Sequence, residues 1–316
     1  NMNPTVLCIG GANLDRKLKL SEPFKMGTSN PVTSQISCGG VARNVAENLT
    51  RLDYCAVLLS TFSDDLDGNW LLGQIESMRI DCSPSLKQPG MNSGSYTALQ
   101  NPDGEMLLAM ADMQLADSIT VDQMEKIWKS MSLPDAVFLD TNFPKAVLKW
   151  VIEQCRENRL VLHVDPVSVA KSQKLPESLK GVDTLQPNLD ELESLTGTSL
   201  SKHEQQIDAC KSLLERGVKK VVLSLGSGGL LWVSEESQFS IPAISLKVPD
   251  VTGAGDALCA GMLWGQIKGY SNQISSEAGM MMATKTMECD SSVWPGLHPS
   301  YLKPLLDKKQ EHNNAC

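Results

Sequence analysis

The chain has 316 residues, of which 41% are hydrophobic and 21% are charged, and its formal net charge is −9 at pH 7. The acidic balance argues against a nucleic-acid-binding protein, because neutralising phosphates requires clustered Lys and Arg. No apolar run approaches the ~20 residues that a membrane-spanning helix needs. The nine cysteines are scattered singly and form no CxxC pair, which is typical of reduced cytosolic thiols. We therefore expect a cytoplasmic protein without nucleic-acid or membrane partners.

Buried-type strands and amphipathic helices alternate along most of the chain. The run TVLCIGG at 5–11 predicts a buried strand. Val45, Leu49 and Leu52 recur on one face of a helix that the pair Gly39-Gly40 opens. The later predicted elements are strands at 55–61, 136–141, 160–165 and 219–225, and helices at about 67–78, 121–131, 144–156, 189–196, 203–216 and within 254–287. This alternation implies an α/β fold with a mostly parallel sheet covered by helices on both faces.

Two excursions of the chain, within about 14–37 and 92–111, do not fit this alternation. The stretch SGSYTALQNPDGEMLLAMA predicts two strands joined by a turn at Pro102-Asp103-Gly104. With the strand patterns near 14–20 and 32–37, we expect a small β-sheet lid over one edge of the main sheet. Ligands of such folds bind at the carboxyl ends of the strands, where a lid can close on them.

The sharpest motif is Asp250-Val-Thr-Gly-Ala-Gly-Asp256, which leads straight into a long helical pattern. The small residues Gly253, Ala254 and Gly255 let backbone N–H groups converge on an anion, and the helix dipole favours that anion. In the first turn, Asp256 is placed to take the proton of a hydroxyl that attacks a phosphoryl group. The alternative is an ordinary glycine-rich helix start with a first-turn acid.

Two motifs nearer the N-terminus fit an acceptor with hydroxyl groups. Gly39 and Gly40 allow a close backbone approach, and Asn44 offers both a donor and an acceptor. Asn13 and Asp15 follow the first strand, and Asp15 could accept hydrogen bonds from two vicinal hydroxyls of a sugar. Each motif could instead be a glycine turn with a satisfied polar residue.

Two further motifs fit the nucleotide side of a phosphoryl-transfer site. Asn188 could cap a helix or, together with Glu191, lie near Mg²⁺ and its waters. Ser224, Gly226 and Gly229 lie at a strand end and in the glycine turn after it. That turn could leave room for a nucleotide or simply join a hairpin.

Several kinase and cofactor signatures are absent from the sequence. The chain has no G-x-x-x-x-G-K-[ST] string of a P-loop protein and no H-R-D or D-F-G string of a protein kinase. A G-x-G-x-x-G string after a strand is also missing, which disfavours an NAD-binding oxidoreductase. The four histidines have no metal-ligand spacing, and His163 is expected in the core.

Taken in this order, the motifs resemble the ribokinase-like (PfkB-type) carbohydrate and nucleoside kinases. The strings GG-x-x-x-N and D-x-T-G-A-G-D carry the resemblance, which spans nearly the whole chain. It implies one Rossmann-like kinase domain over residues 1–316 with a β-sheet lid, often used for dimerisation, so we expect a homodimer through the lid. It also implies ATP, Mg²⁺ and frequently K⁺ as requirements.

The resemblance also implies roles for single residues, with Asp256 as the base and the amides of 253–255 as the anion hole. The residues implied to hold the acceptor are Asn13, Asp15, Gly39, Gly40 and Asn44. The residues implied on the ATP and metal side are Asn188, Glu191, Ser224, Gly226 and Gly229. Asp250 and Thr252 would lie near a monovalent cation.

Two positions depart from the ribokinase pattern and point to another acceptor. Val41 stands where that pattern has a lysine, and Asn142 stands where it has a glutamate at the end of the strand near 137–142. Within the family, stretches such as DTNFP and VDPVS resemble the pseudouridine kinase branch. This resemblance implies phosphorylation of the 5′-hydroxyl of pseudouridine.

The extra N–H of that base needs a hydrogen-bonding partner, since a buried unmatched polar edge costs ~1–3 kcal/mol. Our candidates for the partner are Ser93, Ser95 and Asp112, on or beside the lid hairpin. Alternatives of the same class are kinases for uridine, inosine, adenosine or ribose. A different alternative is a non-catalytic nucleotide- or sugar-binding regulator of the same fold, against which the intact GAGD loop weighs.

Overall fold

The computed structural model describes residues 3–244 and 252–307. Within these ranges the strands are β1 (Thr5–Ile9), β2 (Asn13–Leu20), β3 (Val32–Gly39), β4 (Cys55–Leu59), β5 (Thr61–Phe62), β6 (Leu86–Lys87), β7 (Ser95–Gln100), β8 (Met106–Asp112), β9 (Ala136–Asp140), β10 (Val161–Asp165), β11 (Thr184–Leu185), β12 (Lys220–Ser224), β13 (Leu230–Ser234) and β14 (Gln238–Ile241). The α-helices are α1 (Val41–Arg51), α2 (Leu66–Ser77), α3 (Gln114–Asp117), α4 (Val121–Ser130), α5 (Lys145–Glu157), α6 (Val169–Ser172), α7 (Leu189–Thr196), α8 (His203–Glu215), α9 (Ala254–Ile267) and α10 (Asn272–Met287). Two 3₁₀ turns cover Gly226–Gly228 and Pro299–Leu302.

The large sheet has eight strands in the order β14-β13-β12-β11-β10-β9-β1-β4. The neighbours from β12 to β4 pair in parallel, which confirms the predicted α/β architecture. The strands β13 and β14 add an antiparallel edge, of which the sequence indicated only the turn after β12, as one of two interpretations.

The alternation of side chains along β1 explains why both faces of this sheet are covered. Val6 and Cys8 join one hydrophobic cluster together with residues of α1 and α9. Leu7 and Ile9 point to the opposite face and join a second cluster with residues of α5 and α8. All four side chains are buried, and full burial of each aliphatic side chain contributes about 1.5–3 kcal/mol.

A second sheet has four strands in the order β3-β2-β7-β8 and corresponds to the predicted lid. β7 and β8 form the predicted antiparallel hairpin, while β2 pairs in parallel with β7 and antiparallel with β3. The edge strand β8 exposes apolar side chains on both faces, with Met106 and Met110 each 61% exposed. A two-stranded sheet of β5 and β6 completes the strand pairing of the described ranges.

Two global features follow from the described part of the chain. None of its helices is long and apolar enough to cross a bilayer. Its eight cysteines are all unpaired, and six of them are buried.

Candidate active site

Several parallel strands of the large sheet end along one edge, and polar residues or glycines lie at those ends. Gly10 follows β1, Asp140 and Asp165 close β9 and β10, and Gln186 follows β11. In parallel α/β sheets this edge is where ligands bind. The start of α9 belongs to the same edge, because the Gln186 side chain donates to the Gly255 carbonyl at 3.0 Å.

The helix α9 begins at Gly253, which offers no side-chain cap and has a φ of +81° in the left-handed region. A Cβ atom at Gly253 would overlap the backbone oxygen of Ser292, so a larger residue does not fit. Beside Gly255, the position of a Cβ atom is open space. The first N–H groups of a helix lack intrahelical acceptors, and this end carries the positive end of the dipole. The start of α9 can therefore receive a phosphate group.

Asp256 lies in the first turn of α9 and is 8% exposed. Burial raises the pKa of its carboxyl to about 7, a hydrogen bond from Asn44 opposes this, and the charges of Asp140 and Asp15 add to it. A carboxylate with a pKa near neutral can both hold and release a proton under physiological conditions. The predicted base thus has the burial and the protonation equilibrium that general-base chemistry needs.

Asn44 was predicted to bind an acceptor hydroxyl, and the structure places it directly against Asp256. Its Nδ2 donates to Asp256 Oδ2 at 2.8 Å, although 212 residues separate the two in sequence. Its Oδ1 accepts hydrogen bonds from the guanidinium of Arg43. The side chain therefore joins the start of α1 to the start of α9.

Asp140 was not predicted as a site residue, yet it holds together the segment after β1, the start of α1 and the segment after β9. Its buried carboxylate accepts hydrogen bonds from the backbone N–H groups of Gly11 at 2.8 Å, Ala42 at 3.0 Å and Asn142 at 2.9 Å. Burial raises the pKa of Asp140, and these backbone hydrogen bonds oppose the rise. The available signal was an acidic residue at the end of an apolar strand, where a charge needs partners to be buried.

Asp165 repeats this pattern at the end of β10 and was also missed. Its Oδ1 accepts a hydrogen bond from the Val167 N–H at 2.7 Å, and its Oδ2 lies 3.5 Å from the Cys259 thiol. Burial and the nearby charges of Glu191 and Asp256 raise the pKa of Asp165 well above its usual range. Several carboxyl groups are therefore buried close together in the interior behind the site.

The residues predicted to bind the acceptor lie under the lid, where β2 begins. Asn13 Nδ2 donates to Asp15 Oδ1 at 2.5 Å, and burial raises the pKa of Asp15 to about 6. A Cβ atom at Gly39 would overlap the Asp15 carboxylate, and one at Gly40 would overlap the Gly11 carbonyl. The double glycine is thus required by close packing against β2 and the end of β1.

A cavity of about 310 Å³ opens beside these residues between the lid, α1 and α2. Asp15 and Arg43 line the end nearest the site, and Trp70 and Gln74 of α2 line another wall. Thr252, predicted near a monovalent cation, also borders this cavity. The volume matches the lower range of small-molecule sites, which runs from about 300 to about 1,000 Å³.

Asn142 is held by a lysine that the sequence did not predict. Lys171 Nζ donates to Asn142 Oδ1 at 2.5 Å, and burial lowers the pKa of this lysine. A strained turn precedes α6, with φ of +66° at the β-branched Val167, and the Asp165 carboxylate stabilises it. No sequence pattern revealed this contact, because it depends on a backbone conformation that valine rarely adopts.

None of the three residues predicted to recognise the base lies against the Asp15 side chain. Ser93 is engaged elsewhere, since its N–H and its hydroxyl both donate to the Asp65 carboxylate, at 2.8 and 2.5 Å. Ser95 pairs across the sheet with Leu14 and Asp112, whereas Asp15 is the next residue along β2. Successive residues of a strand point to opposite faces. Ser95 and Asp112 therefore lie on the face of the lid away from the Asp15 side chain.

The predicted nucleotide-side residues come together where β11 and β12 end. Asn188 and Ser224 form a parallel bridge, and the Ser224 N–H donates to the Pro187 carbonyl at 3.0 Å. The turn 226–229 joins the antiparallel strands β12 and β13, which confirms the hairpin interpretation. At Gly229, a Cβ atom would overlap the Ile241 carbonyl, so this glycine has a packing reason. Gly226 borders open space instead.

Asn188 caps α7 in a reciprocal arrangement with Glu191. Its Oδ1 accepts from the Glu191 N–H at 2.8 Å, and Glu191 Oε2 accepts from the Asn188 N–H at 2.9 Å. Burial raises the pKa of Glu191, and the Asn188 hydrogen bond opposes this. The capping interpretation is therefore confirmed.

The residues described hold no group of three or more His, Cys, Asp or Glu side chains arranged for a metal ion. A bound Mg²⁺ would fit this site only together with phosphates and water, as Mg²⁺ usually binds, with Glu191 as the carboxylate on the predicted nucleotide side. Asp250, predicted near a monovalent cation, lies outside the described residues.

The fold and this site together suit the transfer of a phosphoryl group between small molecules. Residues 3–293 match the family model described as pfkB family carbohydrate kinase, and the chain belongs to that family. The predicted family resemblance is thus confirmed, and it makes the chain a kinase of the sugar and nucleoside class.

Named relatives of the chain include both nucleoside kinases and sugar kinases. A pseudouridine kinase of Escherichia coli K12 is 32% identical over 307 residues, covering 96% of this chain and 97% of the relative. A guanosine-inosine kinase of Exiguobacterium acetylicum is 24% identical and covers 95% of this chain and 99% of its own. The solved structure of an Arabidopsis thaliana ribokinase complexed with ribose and ATP superimposes with a TM-score of 0.82. It is 20% identical, with coverage of 96% of this chain and 99% of that one, and it supports the fold alone.

Proposed function

We propose that the chain transfers the γ-phosphoryl group of ATP to the 5′-hydroxyl of pseudouridine, with Asp256 as the general base. The observation that carries this proposal is the position of Asp256. Its buried carboxylate lies in the first turn of an uncapped helix and accepts a hydrogen bond from Asn44. A base beside a phosphate-binding helix start is the arrangement that in-line phosphoryl transfer uses.

In the proposed reaction, different residues of the chain have different roles. The amides of Gly253, Ala254 and Gly255 stabilise the charge that develops on the transferred group, and Asp256 takes the hydroxyl proton. Asp15 and Asn13 orient the ribose hydroxyls. Glu191 would hold Mg²⁺ through water, and the ion would supply neutralisation of phosphate charge.

Three observations support pseudouridine as the acceptor. The 32% identical relative over 96% of the chain is a pseudouridine kinase. Asn142, where a ribokinase pattern expects glutamate, is neutral and bound by Lys171. The cavity of about 310 Å³ beside Asp15 offers space beyond a single sugar ring.

We further propose a cytoplasmic homodimer that forms through the lid and depends on K⁺ near Thr252. The exposed apolar edge strand β8 supports the dimer, because an uncovered edge strand invites pairing with another chain. The eight unpaired cysteines of the described residues fit a reducing compartment. The size of the assembly can be measured by light scattering, and the K⁺ requirement by replacing K⁺ with Na⁺.

An acceptor panel tests the substrate directly. Purified protein with ATP and Mg²⁺ is assayed for ADP formation with pseudouridine, uridine, inosine, adenosine, deoxyribose and ribose. We expect the highest kcat/KM with pseudouridine. Preference for another acceptor would overturn the substrate but not the kinase, and ATP binding without turnover on any acceptor would favour the regulator alternative.

Substitution of the base gives the largest effect we expect. Asp256→Asn keeps the shape of the side chain and the hydrogen bond from Asn44 but removes the proton acceptor. We expect kcat to fall by about 10³-fold or more, with the affinity for ATP nearly unchanged. The measurement is steady-state kinetics together with nucleotide binding by calorimetry. Wild-type turnover in this variant would rule out Asp256 as the base.

Thermal unfolding serves as the control for this variant. Because the pKa of Asp256 is raised in the folded protein, ionisation of this carboxyl lowers the stability of the fold. That stability is lost as pH rises through about 7. A neutral amide avoids this cost. At about pH 8, Asp256→Asn should therefore unfold at the same temperature as the wild type or higher.

A further inference from the structure

Arg43 is an arginine of the first turn of α1 with only 2% of its surface exposed. Burying a guanidinium is costly unless its charge is paired and its N–H groups are bonded. Its Nη1 donates to Glu47 Oε2 at 2.5 Å, which pairs the charge. Its Nε donates to Asn44 Oδ1 at 3.0 Å, and its Nη2 donates to the same oxygen. The guanidinium thus binds the amide that in turn binds Asp256.

The chemistry of the guanidinium fixes the direction of that amide. Arg43 has only donors, so Asn44 must present its carbonyl oxygen to it. The NH₂ group of Asn44 then faces Asp256, where it donates at 2.8 Å. The reversed amide would set donors against donors on one side and an oxygen against a carboxylate on the other. Arg43 therefore selects the orientation in which Asn44 can stabilise Asp256.

We propose that Arg43 is a positioning residue for the base, which it holds in its working orientation through the Asn44 amide. The inference rests on the proposed role of Asp256. Glu47 in turn anchors Arg43, so that the chain of contacts runs from α1 to the start of α9.

The charges that face Asp256 explain why loss of Arg43 should change the pKa of this carboxyl. The charged and titratable groups around it are Asp15 of β2, Arg43 of α1, Asp140 of β9, Asp165 of β10 and Cys259 of α9. Among these, Arg43 is the cation. Loss of Arg43 removes both its charge and the fixed hydrogen-bond donor, and each loss raises the pKa of Asp256.

The test compares wild type with Arg43→Met and Arg43→Lys. For Arg43→Met we expect a kcat about tenfold lower, with the acid limb of the kcat profile moved up by about one pH unit. Arg43→Lys keeps the charge but not the two-pronged donor, so its acid limb should move less than that of Arg43→Met, and its kcat should fall less. An unmoved acid limb in a folded Arg43→Met protein would overturn the proposal.

Arg51→Met is the matched control for these variants. Arg51 is the other partner of Glu47, at 2.9 Å, and it lies two turns from Asn44. Its loss should remove the other ion pair of Glu47 but leave the acid limb in place. If Arg51→Met moved the limb as far as Arg43→Met, a general effect of α1 would explain the result instead.

A double-mutant cycle separates positioning from other routes. If Arg43 acts through the amide, Arg43→Met should cause no further loss of kcat in an Asn44→Ala background. Multiplicative losses would contradict the proposal.

The kinetic arms use whichever acceptor the wild type phosphorylates best, so a different substrate leaves the inference testable. The carboxyl titration of Asp256, followed by carbon-detected NMR, provides a readout that needs no turnover. It should move to higher pH in Arg43→Met and stay in place in Arg51→Met. Absence of turnover with this NMR shift would overturn the proposed function alone.

Discussion

Two helices begin at the same edge of the large sheet, and their N-termini are treated in opposite ways. At α7, the side chains of Asn188 and Glu191 occupy each other's backbone N–H groups. At α9, Gly253 provides no side chain at all, and the space beside Gly255 is open. The first helix start is closed by its own sequence, and the second is left available to a ligand.

The difference shows how one fold can hold a structural and a chemical helix start side by side. A cap stabilises a helix by about 0.5–2 kcal/mol, and α9 forgoes that stabilisation. What α9 keeps is a set of N–H donors next to a buried carboxylate. An uncapped, glycine-rich start at the carboxyl edge of a parallel sheet is therefore informative about function, whereas a capped start needs further evidence.

Among the variants that test the contrast between α7 and α9, closing the open start of α9 should cause the largest loss of kcat. In Gly253→Ala the new Cβ meets the Ser292 carbonyl, and the positive φ adds strain. We expect kcat to fall by about 100-fold or more, because the amides proposed to stabilise the transferred group are displaced. Stability should fall by about 1–3 kcal/mol. Steady-state kinetics and denaturant unfolding measure the two effects.

Gly197→Ala at the other end of α7 is the control. Gly197 also has a positive φ, of +68°, but no atom lies within 4 Å of its would-be Cβ. It should lose stability through strain alone and keep wild-type kcat. Equal losses of kcat in both variants would mean that strain, not the placement of the amides, reduces activity.

The pH dependence of turnover tests the role of Asp256 at the open start of α9. Burial raises the pKa of Asp256 to about 7, and the base must be ionised to accept a proton. Activity should therefore be highest above about pH 7 and fall about tenfold for each unit below it. Profiles of kcat between about pH 5.5 and about pH 9 test this. A kcat that stayed constant down to the acid end of that range would contradict a base with this protonation equilibrium.

Removing the cap of α7 should have the smallest effect. Asn188→Ala should cost about 1 kcal/mol of stability, and a role near ATP and Mg²⁺ would also raise the KM for ATP. Thr120→Ala is the matched control, because Thr120 caps α4 in the same reciprocal way with Gln123. Equal stability losses with unchanged ATP kinetics in both would make the nucleotide-side prediction for Asn188 wrong.

The local parts of this molecule were predictable from sequence. The period of apolar residues revealed β1, β4, β9, β10 and β12 of the large sheet and the longer helices, and the glycine strings revealed the starts of α1 and α9. Both signals depend on residues that are neighbours in the chain. The hairpin turn at 226–229 was one of two interpretations, since glycines suit a turn and a ligand loop equally.

The contacts that complete the site were not predictable in this way. Asp140 binds the N–H of Gly11 across 129 residues, and no local pattern encodes such a partner. The predictions for Ser95 and Asp112 show a related limit. Which face of a strand a side chain occupies depends on the strand register, and a shift of one residue reverses it.

The long separation between Asn44 and Asp256 also bears on how the site appears during folding. The two residues lie 212 positions apart, and Gly11 reaches Asp140 only after 129 further residues. Contacts between distant positions form late, because closing a long loop costs entropy before the contacts can stabilise the fold. During synthesis, the N-terminal half of the site is complete in sequence long before its base exists. Phosphoryl transfer by this chain would then show that nearly the whole chain has folded.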